Sequence, residues 1–289
     1  NGILWIGTND SGVSKLDPTF QLFSHYAVRN SQADLLSHNA VWALSETKDG
    51  TIWVGTSNGL NRIHRATGEV EQYFYHPDQA NGISHNRTWS IFQEKENTFW
   101  LGTSGGLNKM TIGVDGSASF ENWQHDPLNP NSISANSVRF LLKDHLGNFW
   151  VGTNLGFNHF DPQTDIFRPY LADPAKEGSI SSNYIRSIYQ GPDKRLWICT
   201  SEGLNQYLYD KDQFIQYKHD PSDSTSLSND VIRCAFQDSK GRLWIGTSSG
   251  LNRGFWDEES QQLQFEHFLE RDGLPNDIIY GVLEDSAGN

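Results

Sequence analysis

Six side chains that could bind a ligand recur at one position of a repeated sequence. Each stands three residues after an Asn or Asp, and the series contains only aromatic residues and arginines. Arginine supplies planar pairs of donors for a carboxylate or a sulfate, and Trp and Tyr offer flat faces on which a sugar ring can stack. The pattern therefore predicts a site for a sugar or an anion. We call these residues the candidate ligand column: Trp42, Trp89, Arg139, Arg186, Arg233 and Tyr280.

A structural explanation of the same column is open as well. Its arginines could pair with acidic side chains of neighbouring repeats, and its two Trp could fill wider gaps between those repeats. A pocket enclosed by repeated elements is a common place for a ligand, but fold alone does not establish binding there.

The elements that position the column are six copies of an apolar-Trp-apolar-Gly-Thr segment followed by a Gly-apolar-Asn turn, with Cys199 in place of the Gly in one copy. Alternating segments rich in β-branched and aromatic residues, repeated every 47 to 50 residues, are typical of propeller blades and not of helical repeats. We expect the repeated Trp to be structural and buried between blades. They are Trp5, Trp53, Trp100, Trp150, Trp197 and Trp244.

The second copy illustrates how one repeat forms a blade. Gly follows Asp49, Asn58 and Thr67, and such dipeptides favour tight turns between antiparallel strands. The predicted strands are residues 41–44, 51–56, 60–64 and 70–75. The column residue Trp42 lies in the first of them, which would surround the channel.

The two ends of the chain carry complementary parts of a blade. Ile3 to Thr8 resemble a second strand without its inner partner, and Ile278 to Glu284 resemble an inner strand without the Trp strand that follows elsewhere. Pairing them would remove two open sheet edges. We therefore predict an all-β fold, a closed six-bladed β-propeller of four-stranded antiparallel blades, in a single domain, 1–289. A seven-bladed or larger propeller is the alternative, because we expect the sequence to be part of a longer protein.

Composition argues against several kinds of partner. The chain has 22 Lys and Arg against 35 Asp and Glu, a formal net charge of −13, so a nucleic-acid footprint is absent. No apolar run approaches the roughly 20 residues of a membrane helix. We expect no metal and no cofactor, because His76, His125 and His219 stand a whole blade apart in Asp- and Pro-containing turns.

The two cysteines, Cys199 and Cys234, match no metal-ligand spacing and no disulfide framework. Free buried thiols are the simpler interpretation. Whether the two thiols pair with each other stays open from the sequence.

The repeat resembles that of the two-component regulator propeller family. The residues that carry the resemblance are Leu36-Ser37-His38-Asn39, the segments 49–56 and 58–63, and the segment 238–247 followed by Gly250-Leu251-Asn252. Lys194 departs from the pattern, since most copies have Gly there. The resemblance implies a periplasmic, non-catalytic sensor of a membrane-bound bacterial regulator, either a hybrid histidine kinase or a cyclic-dinucleotide regulator. It implies as partners an acidic or neutral oligosaccharide, neighbouring immunoglobulin-like and membrane segments, and a second copy of the chain.

Two other functions stay open. One is a carbohydrate-active propeller enzyme, either a sialidase-like hydrolase or a lyase. Sialidase turns place Asp two residues before Gly, whereas Asp49 stands one residue before Gly50 and Asp238 three before Gly241. No nucleophile pair can be assigned, so we expect no catalytic residue in this chain. The other is a module that serves only dimerisation or scaffolding.

Overall fold

The computed structural model describes residues 4–9, 11–17, 22–27, 36–65 and 67–285. These residues form an all-β structure of 23 strands, apart from a 3₁₀ turn at Glu270–Asp272. The strands make five four-stranded sheets and one three-stranded sheet, each a meander in which consecutive strands are neighbours. Within the part of the chain described, no helix has the length and apolar character needed to cross a membrane.

The sheets follow one another along the chain. The first consists of β1 (Leu4–Gly7), β2 (Val13–Asp17) and β3 (Leu22–Tyr26). The second consists of β4 (Val41–Glu46), β5 (Ile52–Thr56), β6 (Gly59–Ile63) and β7 (Val70–Tyr73). The third consists of β8 (Thr88–Lys95), β9 (Thr98–Thr103), β10 (Gly106–Ile112) and β11 (Ala118–Trp123). The fourth consists of β12 (Val138–Lys143), β13 (Phe149–Thr153), β14 (Gly156–Asp161) and β15 (Ile166–Tyr170). The fifth consists of β16 (Ile185–Gln190), β17 (Leu196–Thr200), β18 (Gly203–Leu208) and β19 (Gln213–Tyr217). The sixth consists of β20 (Ile232–Gln237), β21 (Leu243–Thr247), β22 (Leu251–Asp257) and β23 (Gln262–Phe268).

The chain divides into two compact units, Asn1–Leu141 and Leu142–Asn289. The first three sheets belong to the first unit, and the last two sheets belong to the second. The unit boundary falls within β12 of the fourth sheet. The single domain 1–289 stays a prediction.

A buried polar network explains the Ser, Gly-Thr and Asn positions of the repeat. In the second sheet, Oδ1 of the fully buried Asn61 accepts the backbone N–H of Ser37 at 2.7 Å, and its Nδ2 donates to Ser37 Oγ at 2.9 Å. The Thr56 hydroxyl donates to the Gly59 carbonyl at 2.8 Å and lies 3.1 Å from Ser37 Oγ. Each member needs the others, because an unpartnered buried polar group costs about 1–3 kcal/mol. The same backbone bond to an Asn side chain recurs for Asn108, Asn205 and Asn252.

Glycine is required at the turn that closes this network. Gly59 has a φ of 122°, and a Cβ there would lie 2.9 Å from Ser37 Oγ. Lys194, which replaces a turn glycine, adopts a φ of 66°. The turn conformation is therefore kept at Lys194 in spite of the side chain.

The repeated Trp lies in the second strand of each four-stranded sheet and in β1 of the three-stranded sheet. Trp53, Trp100, Trp150 and Trp197 are no more than 2% exposed, and Trp244 is partly buried. The Trp53 ring centroid lies 5.1 Å from that of Phe99 in the next sheet. The side chain of Trp5 lies outside the described residues. The rings of Trp53, Trp150 and Trp197 each join two successive sheets of the same unit through a shared apolar layer.

The C-terminal segment differs from the predicted inner strand at Ile278 to Glu284, because no strand forms there. The Ile279 N–H donates to the Thr247 carbonyl at 3.0 Å, as the Val41 N–H donates to the Thr8 carbonyl at 2.8 Å. The segment therefore follows the path of an inner strand, but among the described residues no strand pairs with it in a ladder. Its predicted partner, Ile3 to Thr8, belongs to the other unit, and Ile3 lies outside the described residues. Ring closure stays a prediction.

Candidate ligand-binding site

A β-bulge in the inner strand aims the side chains of the candidate ligand column. In β4, Val41 and Ala43 pair with successive residues of β5, so Trp42 is the extra residue. A bulge takes the extra residue out of the ladder and re-aims its side chain. This explains why the column does not have the composition of a packing position. The same register shift occurs at Trp89, Arg186 and Arg233.

In the first unit the column residues form a continuous row. The ring centroids of Trp42 and Trp89 are 4.8 Å apart, with an angle of 55° between the ring planes. The guanidinium carbon of Arg139 lies 4.4 Å from the Trp89 ring centroid, and that of Arg87 lies 5.3 Å from it. Trp42 is 42% exposed. The row thus presents an aromatic surface to solvent beside fixed cations.

In the second unit the column residues form cation–π contacts. The guanidinium carbon of Arg233 lies 4.4 Å from the ring centroid of Tyr280, which is 74% exposed. That of Arg186 lies 5.1 Å from the Tyr184 ring. Both arginines are half-buried. An arginine above an aromatic ring is held in place and still has N–H donors at its edge.

A serine fifteen residues later fixes the polar end of four column side chains. The Trp42 indole Nε1 donates to Ser57 Oγ at 2.8 Å, and Ser57 lies in the turn between the second and third strands. Asn154 has the equivalent position in the fourth sheet, and its Oδ1 is buried with no hydrogen-bond partner among the described residues. Sequence reasoning missed these serines, although their constant spacing is a signal that could have identified them. The other pairs, at 2.9–3.1 Å, are Trp89 with Ser104, Arg186 with Ser201 and Arg233 with Ser248.

An Asn or Asp three residues before the column residue fixes the start of the inner strand. Oδ1 of Asn86 accepts the backbone N–H of Tyr75 at 2.6 Å, and its backbone carbonyl accepts the N–H of Gly59 at 2.6 Å. Asn86 thus ties the start of the inner strand to the end of the preceding sheet's outer strand through its side chain, and to a turn of that sheet through its backbone carbonyl. The bond to the residue eleven positions earlier recurs at 2.6–2.7 Å for Asn136, Asn183 and Asp230.

The chemistry available to the column is stacking and hydrogen-bond donation. Aromatic faces, indole N–H groups and guanidinium groups are the groups that these six positions supply. They include no carboxylate, imidazole or thiol, which are the usual general acids and bases. The column itself is therefore suited to holding a ligand and not to proton transfer.

The histidines of the connections take part in loop structure. Nδ1 of His125 lies 2.7 Å from the Ile133 carbonyl oxygen, and Nδ1 of His219 lies 2.6 Å from that of Leu227. Residues 4–9, 11–17, 22–27, 36–65 and 67–285 contain no group of three or more His, Cys, Asp or Glu side chains arranged to hold a metal ion.

The two cysteines are free thiols. Cys199 is fully buried, and burial raises the pKa of its thiol to about 12. Burial also raises the pKa of Cys234. Reactivity of a thiol requires its thiolate form, so neither group has the character of a nucleophile at neutral pH.

The chain is built from four-stranded meanders that share buried Trp layers and repeat a Ser-Thr-Asn network. These features define a protein built from propeller-type blades. The family model described as two component regulator propeller matches residues 35–58, 179–202 and 226–249. Three of the chain's repeats therefore match this family's model, which confirms the resemblance seen in the sequence. Comparison with curated protein sequences finds no match.

Several solved structures share the fold. One is the extracellular domain of a protein assigned as a hybrid two-component system from B. thetaiotaomicron, at 23% identity and a TM-score of 0.68, covering 99% of this chain and 41% of that one. A second is PorZ, a surface component of the type-IX secretion system of Porphyromonas gingivalis. It has 17% identity and a TM-score of 0.66, and the match covers 92% of this chain and 37% of PorZ. A streptogramin B lyase has 15% identity and a TM-score of 0.59, and the match covers 92% of this chain and 80% of the lyase.

These likenesses concern the fold. A further extracellular domain from B. thetaiotaomicron, assigned as a one-component system, has 20% identity and a TM-score of 0.55, with 92% of this chain and 40% of that one covered. The chain thus spans about two fifths of the length of the extracellular domains that it resembles.

Proposed function

We propose that this chain is the ligand-sensing propeller of a membrane-bound bacterial signalling regulator and that it binds an oligosaccharide without cleaving it. The matched repeats and the extracellular domains of similar fold support the sensor part of the proposal. The observation that carries the binding part is the row formed by Trp42, Trp89 and Arg139.

The row has the properties of a sugar subsite. The partly exposed Trp42 ring offers an apolar face to the C–H side of a sugar, and Ser57 holds that ring in one orientation. Arg139 lies over the next ring, where its guanidinium can donate to hydroxyl, carboxylate or sulfate oxygens. Because an anion adds charge-assisted hydrogen bonds, we expect acidic oligosaccharides to bind more tightly than neutral ones of the same size.

A non-catalytic role fits the composition of the column, which has neither carboxylate nor imidazole at its six positions. The streptogramin B lyase of similar fold does not weigh against this role, because a fold at 15% identity hosts different chemistries.

The location and partners follow from the same proposal. We place the propeller outside the cytoplasm, in the periplasm, next to immunoglobulin-like and membrane segments of a longer chain. A second copy is a further expected partner, since paired sensors are a simple way to transmit a signal across a membrane. The extracellular domains of similar fold support this location, and their greater length leaves room for further segments.

The proposal includes a closed six-bladed ring. The five four-stranded sheets and the three-stranded sheet at Leu4–Tyr26 support it, because one inner strand would complete the sixth blade. The path of Ile278 to Glu284, with the inner-strand hydrogen bond at Ile279, supplies a segment of the required kind. Small-angle scattering tests this directly, since a ring open by a blade would give a larger radius of gyration than a closed one.

Titration calorimetry against a panel of neutral and acidic oligosaccharides tests the function. We expect a subset of acidic glycans to bind, and chromatography of the recovered glycan should show no shortened product. Cleavage of a bound glycan would instead indicate an enzyme, and a panel without any binder would favour a scaffold.

A further inference from the structure

A cavity of about 380 Å³ opens between the second and third sheets, within the first unit. Its walls are the turn between β4 and β5 and the turn between β8 and β9, and its floor includes Trp53, Phe99 and Ile112. Thr47, at the cavity, stands five residues after Trp42, which at about 3.3 Å per residue is roughly 17 Å along β4. The cavity is therefore separate from the candidate ligand column. Its volume lies within the usual range for small-molecule sites, about 300–1,000 Å³.

A glutamine bridges the corresponding gap between sheets in the second unit. In the second unit, Oε1 of Gln190 accepts the backbone N–H of His145 at 2.7 Å, across the gap between the fourth and fifth sheets. Gln93 has the equivalent position in β8, but a second bulge lies between Gln93 and Lys95. Its Nε2 donates to the Glu96 carbonyl in its own turn at 3.2 Å, as Nε2 of Gln190 donates to the Lys194 carbonyl at 3.1 Å. The second bulge therefore distinguishes β8 from β16 beside this gap.

The wall of the cavity contains an unsatisfied donor. Nε of Arg62 is buried and has no hydrogen-bond partner among the described residues. The same guanidinium contacts Glu71 only at long range, with Nη1 3.5 Å from Oε2. The Glu71 carboxylate has two closer partners, since His64 Nε2 and the Tyr73 hydroxyl each lie 2.9 Å from one of its oxygens. Because this nitrogen is buried, a ligand in the cavity can reach only the remaining, partly exposed part of the Arg62 side chain, which is 18% exposed overall. A carboxylate matches the fork of an arginine side chain best.

The other polar groups of the cavity divide into donors and acceptors. Lys48 and Lys95 are exposed at the two turns and contribute one ammonium group from each. The carboxylates of Asp49 and Glu96 and the amide of Gln93 can accept hydrogen bonds. Asp49 remains ionised, since hydrogen bonds from Thr47 and Thr51 lower its pKa. A ligand that pairs with the cationic donors needs an acidic group, and one that pairs with the carboxylate and amide acceptors needs hydroxyl donors.

We propose that this cavity binds a small hydroxylated carboxylate of monosaccharide size, such as a uronic acid. Its carboxylate accepts from the accessible part of the Arg62 guanidinium and from the lysines on the rim, and its hydroxyls donate to Gln93, Asp49 and Glu96. The apolar floor at Trp53 and Phe99 takes the carbon side of the ring. The site is independent of the proposed oligosaccharide site, because the two sites share no residue.

Calorimetric titration with D-glucuronate tests this proposal, with D-glucose as the probe that lacks the carboxylate. We expect glucuronate to bind at least about tenfold more tightly than glucose. Arg62→Gln should weaken glucuronate binding at least about tenfold, because it removes the charged fork. Arg253→Gln is the matched control: Arg253 also pairs with the repeated Trp of its sheet and with a glutamate of the next strand, but it does not line the cavity. It should change the affinity by less than about twofold.

A second variant keeps the test decisive if Arg62→Gln fails to fold. Lys48→Ala combined with Lys95→Ala alters only exposed side chains and should weaken glucuronate binding about tenfold. Trp42→Ala should leave glucuronate binding unchanged, whatever its effect on oligosaccharides, so failure of one site is distinguishable from failure of the other. The proposal is wrong if glucuronate gives no binding heat, if the lysine variant binds as the wild type does, or if Arg253→Gln weakens binding as much as Arg62→Gln.

Discussion

The indole rings of Trp42 and Trp89 lie 4.8 Å apart although the two residues stand 47 positions apart in the sequence. Each lies at a bulge of its own inner strand, and each donates its indole N–H to a serine of its own sheet. The two rings are therefore held in position by hydrogen bonds that need no ligand. A preorganised aromatic surface loses little side-chain entropy when a ligand binds.

The two kinds of Trp should contribute differently to stability. Trp100→Ala removes a large side chain that is 2% exposed, so it should lower the free energy of unfolding by about 3–5 kcal/mol. Trp89→Ala should cost distinctly less, because Trp89 is only half-buried. Chemical denaturation of both variants measures the difference, and equal losses would show that Trp89 is a core residue.

The Ser-Thr-Asn network should be sensitive to removal of its amide. Asn205→Ala leaves the backbone N–H of Ser181 without its acceptor at 2.8 Å, in a fully buried place. We expect a loss of about 1–3 kcal/mol in the free energy of unfolding. Asn131→Ala, at an exposed loop position, is the control and should change stability by less than about 0.5 kcal/mol. Similar losses in the two variants would mean that the network does not stabilise the sheet.

Acid should destabilise the protein partly through Asp238. Burial alone would raise its pKa, but hydrogen bonds from Trp244 Nε1 and from the backbone and side chain of Arg242 lower it to about 2. Since this folded value lies below the ordinary 3.8, ionised Asp238 stabilises the fold above about pH 4. That stabilisation is lost as the pH falls from about 4 to about 2.

The variant Asp238→Asn tests this pH dependence. It should be less stable than the wild type at pH 7, and the gap between their melting temperatures should narrow between about pH 4 and pH 2. Asp210→Asn, which changes an exposed carboxylate, should follow the wild-type profile. A gap that stays constant down to pH 2 would contradict the assigned role of Asp238.

Much of the local fold could be predicted from the sequence. The predicted strands of the second copy, 41–44, 51–56, 60–64 and 70–75, agree within two residues with β4 to β7. Alternating apolar residues and glycine turns are local signals, which explains this agreement. Gly50 and Gly59 both have positive φ, as turn glycines do.

Features that depend on pairing between strands could not be predicted. The bulge at Trp42 is a property of the register between β4 and β5, which no local pattern fixes. The strand predicted at Ile278 to Glu284 has the alternation of an inner strand but no ladder partner among the described residues, so the pattern alone was insufficient. The second bulge, after Gln93 and beside the cavity, is likewise a property of the register between strands.

The most direct test of the sensor proposal is calorimetry with one acidic oligosaccharide. Its binding is measured for the wild type and three variants at two salt concentrations. Trp42→Ala should weaken binding at least about tenfold with its salt dependence kept, because stacking is uncharged. Arg139→Gln should cost about 1.5–3 kcal/mol and reduce the salt dependence. Trp256→Ala, which removes an exposed Trp outside the column, should have no effect. Absence of binding, or an equal loss in Trp256→Ala and Trp42→Ala, would contradict the proposal that this column is the ligand site.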